Sequence, residues 1–163
     1  MAINSFRELE DKVNKCVEIA MIKTRDVIFK VISNNLIAYY QEPVFDGSSD
    51  PEYIRTGTLM ESLTASNIQK NGNLHSFTVG WDDDYLEFTY SGWTTRYGRG
   101  LMGKNYATGA DVLTYMSQCK HGGSAFVGKH NVWGESLDYI DSQYGSVSEL
   151  FLMHLKATGL PIN

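Results

Sequence analysis

The stretch from Ser5 to about Gln41 sets the strongest limit on how this chain folds. Apolar residues recur at Phe6, Leu9, Val13, Cys16, Val17 and Ala20, and resume at Val27, Ile28, Val31, Ile32, Leu36 and Tyr39. That is helical spacing with a wide apolar face. Asn4 or Ser5 caps the start, and Glu8, three residues after Ser5, completes a capping box. Thr24 to Asp26 interrupts the stripe and marks a bend or a split. Unbroken, the helix would extend about 55 Å at 1.5 Å per residue. A chain of 163 residues makes one domain with a core, and such a domain is too small to cover a helix of that length. Part of the helix is therefore expected to pack on a neighbouring subunit.

The rest of the chain divides at its turn residues. "EPVFDGSSDPEY" ends the helix, because Pro43 and Pro51 bracket a Gly/Ser/Asp cluster. In "PEYIRTGTLMESL", Thr56 is an N-cap and Leu59, Met60 and Leu63 give one short apolar helical turn. "SLTASNIQK", the turn "NGN" and "LHSFTVGW" read as a hairpin, with Phe77, Val79 and Trp81 on one face. "DDD" makes the next turn, and Leu86, Phe88 and Tyr90 alternate as a third strand. The final "SVSELFLMHLKATG" is a helix, capped at Ser146 or Ser148 and stopped by Gly159 and Pro161. "WGESLDYIDSQYG" reads as another short helix. The expected fold is one α+β domain over 1–163: a helix over 1–41, a linker and short helical turn over 42–63, an antiparallel β-meander over 64–91, a long Gly-rich loop over 92–134, and a closing segment with a short C-terminal helix over 135–163.

Composition narrows the function. The net charge is −5, from 14 basic and 19 acidic residues, with no basic run of the kind that grips phosphates. A mildly acidic wall suits DNA that slides past without sticking. Aromatic residues make up 12% of the chain, including ten Tyr and three Trp. They serve either a sheet core or protein interfaces, where a ring buries area and keeps a polar handle. Cys16 and Cys119 stand far apart and indicate no disulfide framework, so a reducing cytoplasm is expected. "MAINSFRELEDK" lacks an apolar signal core, and no stretch approaches a membrane span.

The residues that carry chemistry elsewhere have bland readings here. Asp82, Asp83 and Asp84 resemble a cation site, but their spacing is not that of a Ca²⁺ loop and Asp favours turns. Cys119, His121 and His130 lack structural-zinc spacing and a fourth ligand. "GRGLMGK" falls short of a phosphate loop, since Asn105 follows Lys104. No nucleophile elbow is present. The expectation is no enzyme: no catalytic residue, no cofactor and no metal. Arg55 pairs either with Glu52 or Glu61 of its own subunit or across a subunit interface, where its planar fork orients hydrogen bonds.

The pattern Y-x-R-T-x-x-L-x-x-S-L, at Tyr53, Arg55, Thr56, Leu59, Ser62 and Leu63, resembles the head–tail joining or tail-completion (neck) proteins of long-tailed bacteriophages. The long N-terminal helix ending in Tyr39 and Tyr40 fits that family, as do "HGG" at His121 and "W-G-E" from Trp133. The resemblance implies a structural virion protein that assembles into a homo-oligomeric ring, commonly six-fold. It would join the DNA-filled head to the tail, let double-stranded DNA pass without specific binding, and contact neighbouring connector and tail proteins, with no membrane. Such a protein is made in the host cytoplasm and resides in the virion neck or tail. Tyr53, Arg55, Thr56, Tyr39, Tyr40, Trp93, Arg96 and Arg99 are the expected subunit-interface residues, and Leu59 and Leu63 the core anchors of the corner. The alternatives are a tail terminator or tail-tube subunit and, further off, a small metal-dependent hydrolase.

Overall fold

A 36-residue helix, α1 (Phe6–Gln41), dominates the chain. The structure is a computed structural model and describes residues 5–41, 58–86, 88–89, 106–108 and 131–162. Four helices and three two-stranded sheets are present among these residues. After α1 come α2 (Thr58–Glu61), β1 (Leu63–Ala65), β2 (Gln69–Asn71), β3 (Leu74–Ser76), β4 (Val79–Trp81), β5 (Phe88–Thr89) and β6 (Tyr106–Ala107). The helices α3 (Val132–Tyr144) and α4 (Val147–Lys156) close the order. By contacts the chain falls into two compact units. The first comprises Met1–Val31, Ala65–Val79 and Ser136–Asn163; the second comprises Ile32–Thr64 and Gly80–Glu135.

α1 starts where the capping signal placed it. Ser5 Oγ accepts from the Glu8 amide at 3.1 Å, satisfying one of the amides that a helix start leaves open. Thr24–Asp26 does not split the helix, which is continuous from Phe6 to Gln41. Thr24 is fully buried, and its hydroxyl donates to the Ala20 carbonyl at 2.8 Å, so the polar residue in the stripe is absorbed into the helix. In the first unit, Cys16, Ala20, Thr24, Ile28 and Val31 form one buried row at four- and three-residue spacing. Cys16 and Ala20 meet Leu155 of α4, and Val17, Phe151, Leu160 and Ile162 pack around them. Among the described residues of the second unit, those buried are Ile32, Leu36, Ser62, Leu63, Leu86 and Val132.

The meander does not form. Its first two arms do make a hairpin, with β2 and β3 antiparallel in the register Gln69↔Ser76, Lys70↔His75 and Asn71↔Leu74. Gly72 takes φ +60 at the turn, a left-handed conformation that glycine adopts without a Cβ penalty. β1 pairs with β4 at the base of the same hairpin. Between the two ladders Ser66 faces Thr78 and Gln69 faces Ser76, so Asn67 and Ile68 together oppose Phe77. That is a one-residue β-bulge. The Ser66 amide donates to Thr78 O at 2.9 Å, but the Ser66 carbonyl is taken by Arg25 at 3.1 Å. The Ser66 hydroxyl stands in for it and accepts from the Thr78 amide at 2.9 Å.

The third arm goes elsewhere. Asp82 Oδ1 accepts from the amides of Asp84 and Tyr85, and the Leu86 amide reaches Asp83 O, so residues 82–86 coil into a turn. β5 then pairs antiparallel with β6, with Phe88↔Ala107 and Thr89↔Tyr106. Alternation in "YLEFTY" showed a strand but carried no information on its partner. Within 92–134 the described residues are not one long loop: Tyr106–Ala107 is strand and Val132–Gly134 opens α3, with Thr108 and Asn131 just outside these elements; the other residues of that stretch lie outside the described ones.

α3 and α4 lie close to where the sequence places two helices, α3 starting at Val132, inside the stretch expected to be loop. Asn131 Oδ1 accepts from the Gly134 amide at 3.0 Å and starts α3. Ser146 is the N-cap of α4, its side chain accepting from the Glu149 amide at 3.0 Å. Gly145, at φ +84, joins the two helices, and Gly159, at φ +85, follows the end of α4.

Candidate functional site

The first three turns of α1 do not bury their apolar stripe. Phe6 is 82% exposed and Leu9 is 41% exposed. Cys16 and Ala20 turn inward against α4, whereas Phe6, Leu9, Val13 and Val17 line a groove of about 480 Å³ together with Glu10, Asn14, Asn73 and His75. Asn73 and His75 belong to the tip of the β2–β3 hairpin, so one wall is helix and the other is hairpin. Leu74, beside them, is 67% exposed. The His75 Nε2 atom is buried and finds no hydrogen-bond partner among the described residues. A buried polar atom left unpaired costs free energy. The groove is thus open and mostly apolar, with the polar side chains of Glu10, Asn14, Asn73 and His75 along it.

Below the groove the same unit holds two polar ties. The Thr24 hydroxyl has one proton and gives it to Ala20 O, so toward His154 Nδ1, at 3.1 Å, it acts as acceptor. His154 is therefore protonated on Nδ1 when neutral. Burial, followed by the charge of Lys23, pushes its pKa below the usual histidine range. Arg25 donates from Nε and Nη2 to Asp26 Oδ1, at 2.9 and 2.7 Å, and from Nη1 to Ser66 O. One guanidinium thus fixes the bulged hairpin against α1.

The second unit contains the corner. Leu59 is half-buried in α2, Leu63 is buried at the start of β1, and buried Ser62 donates its hydroxyl to Leu59 O at 3.0 Å. Tyr85 donates to Glu61 Oε2 at 2.8 Å, and that hydrogen bond and the carboxylate charge hold the phenol above its ordinary pKa. Trp81 and Trp133 meet edge to face at 5.9 Å. The Trp81 Nε1 atom is buried without a partner among the described residues.

The residues singled out in the sequence are placed unevenly. Leu59 and Leu63 are together at the corner. Tyr39 and Tyr40 lie in the last turn of α1. Tyr53, Arg55, Thr56, Trp93, Arg96 and Arg99 lie outside the described residues, as do Cys119, His121 and His130. Asp82, Asp83 and Asp84 form the turn described above, and no cluster of three His, Cys, Asp or Glu residues that could hold a metal ion occurs among the described residues. No described helix is long and apolar enough to cross a membrane. Sequence reasoning missed the groove because Phe6, Leu9, Val13 and Val17 share the stripe with Cys16 and Ala20. Their separation appears only once α4 covers one side of that stripe. No family model matches the chain, and neither a curated protein nor a solved structure matches it.

Proposed function

We propose that the chain is a structural virion subunit, a ring-forming head–tail connector or tail-completion protein that works through contact surfaces. The observation that carries this reading is the exposed apolar face at the start of α1, set beside the exposed hairpin tip. A soluble subunit leaves such a face open where another polypeptide is to cover it. The corner supports the same reading. Ser62 and Leu63, the last residues of Y-x-R-T-x-x-L-x-x-S-L, are buried, and Ser62 is tied to Leu59 of α2. A ring is a head-to-tail assembly and uses different faces of each subunit. The negative net charge favours passage of DNA over its capture.

The hydrolase alternative needs carboxylates free to hold a metal. Asp82 uses its carboxylate to cap its own turn, which weighs against it. The test is the mass of the purified protein, alone and mixed with head and tail proteins of a long-tailed phage. A ring that appears only in the mixture is the expected result. A stable ring in isolation would favour the terminator or tube alternative. A chain that joins no virion protein under any condition would overturn the proposal.

A further inference from the structure

We propose that Asn71 is a self-modification site: the Gly72 amide nitrogen attacks the Asn71 side-chain amide, and the tip of the β2–β3 hairpin gains an aspartate or isoaspartate carboxylate. Asn71 is the one asparagine in the sequence that a glycine follows. A side chain on the next residue hinders the approach of its nitrogen to the asparagine Cγ, and glycine has none. The hairpin leaves the pair accessible. Asn71, Gly72 and Asn73 are all exposed, and a Cβ placed on Gly72 would meet nothing within 4 Å. Asn71 and Leu74 form the last rung of a two-stranded ladder, with only Gly72 and Asn73 beyond it. A two-stranded ladder is marginal by itself, and its free end opens at the lowest cost. Asparagines elsewhere are held. Asn14, Asn34 and Asn35 lie within α1, where the amide that follows each is committed to the helix. Asn131 uses its side-chain oxygen to start α3.

The reaction begins when the last rung opens and Asn71 leaves the extended backbone that its pairing imposes. Hydroxide takes the proton of the Gly72 amide. The nitrogen forms a bond to Asn71 Cγ, the Cγ–Nδ2 bond breaks, and ammonia leaves with a proton from water, which returns the hydroxide. Water then opens the five-membered imide. Cleavage of the new N–Cγ bond gives aspartate at 71. Cleavage of the original backbone C–N bond gives isoaspartate, in which the chain runs through the former side-chain carbon. Nothing is oxidised or reduced, and water is the only co-reactant. Either product is a carboxylate at neutral pH. Isoaspartate also lengthens the backbone by one carbon within the last rung, so the Asn71↔Leu74 pairing is lost. The change falls close in the chain to Asn73 and His75, which form the hairpin wall of the groove. That wall therefore alters with the age of the chain. The inference does not depend on the function proposed above.

The test follows the purified full chain in mildly alkaline buffer over weeks, with peptide mapping at mildly acidic pH. The peptide that contains Asn71 should grow heavier by the difference between a hydroxyl and an amino group. The intact chain should gain a more acidic species on ion exchange, faster than in mildly acidic buffer because hydroxide starts the reaction. Isoaspartate in that peptide should accept a methyl group from an isoaspartyl methyltransferase. Asn71→Gln, at this exposed position, should lose the acidic species, since glutamine would have to close a larger ring. The chain unfolded in guanidinium chloride converts without a rung to open and sets the upper rate. An Asn71 peptide that keeps its mass in the folded chain while the unfolded chain converts would overturn the proposal. So would an acidic species that forms as fast in Asn71→Gln as in the wild type.

Discussion

At the scale of single residues, Thr24 shows how a polar group is made compatible with a core. Its hydroxyl gives its proton to Ala20 O and accepts from His154 Nδ1–H, so both polar partners are satisfied without water. Thr24→Val keeps the shape and leaves the imidazole N–H unpaired; it should cost about 1–3 kcal/mol in urea unfolding. Thr24→Ser, which keeps the hydroxyl, should cost less, and a Thr24→Val variant as stable as the wild type would show that the bond contributes nothing. His154 adds a pH dependence. Its pKa is lowered in the folded state, so the unfolded chain takes up the proton first. The contribution is fully present above the ordinary histidine pKa of about 6.5 and is lost as pH falls through it towards the folded value. Stability measured at pH 7.5 and pH 5.5 should therefore differ less in His154→Asn than in the wild type, because only the wild type carries this titration. Neither role was visible in the sequence, where Thr24 stood as an interruption of the stripe. The information that joins them is tertiary, 130 residues apart along the chain.

At the scale of elements, local signals were legible and pairings were not. The caps at Ser5 and Ser146 appear where hydroxyl-bearing residues precede a helical stripe, because a helix start needs acceptors for its open amides. The Gly72 turn appears where "NGN" separates two alternating runs. The meander failed because alternation fixes which face of a strand is apolar and says nothing about its neighbour. Phe88–Thr89 accordingly pairs with Tyr106–Ala107, and the Asp82 cap turns the chain away before it can extend the hairpin. The bulge was equally hidden, since it depends on Arg25 claiming the Ser66 carbonyl. The α3–α4 junction gives a direct test of the local signals. Ser146→Ala removes the cap of α4 and should cost about 0.5–2 kcal/mol in chemical denaturation. Gly145→Ala forces a side chain onto φ +84 and drives its Cβ into the Glu149 carboxylate, so it should cost about 1 kcal/mol or more. If both variants unfolded with the wild-type midpoint, the junction would not constrain the helices.

At the scale of the whole molecule, the long helix is the element that needs a purpose. Its length, read from the sequence, already exceeded what one small domain could cover, and the structure shows which part is left open: Phe6, Leu9 and the turns lining the groove. The site was half legible for this reason. The stripe was visible, but the side covered by α4 and the side left open could not be told apart until Leu155 was seen against Cys16 and Ala20. The ring proposed above needs a face of this kind. Phe6→Asp sets a charge on it, and a carboxylate covered by another polypeptide beside Val13 and Val17 is strongly unfavourable. Phe6 is exposed, so the variant should fold as the wild type does and should enter a ring with head and tail proteins less readily. Mass measurements on the variant, alone and mixed with such proteins, check this. A variant that enters the ring as readily as the wild type would place the ring contacts on other faces and leave the open turns of α1 without a part in it.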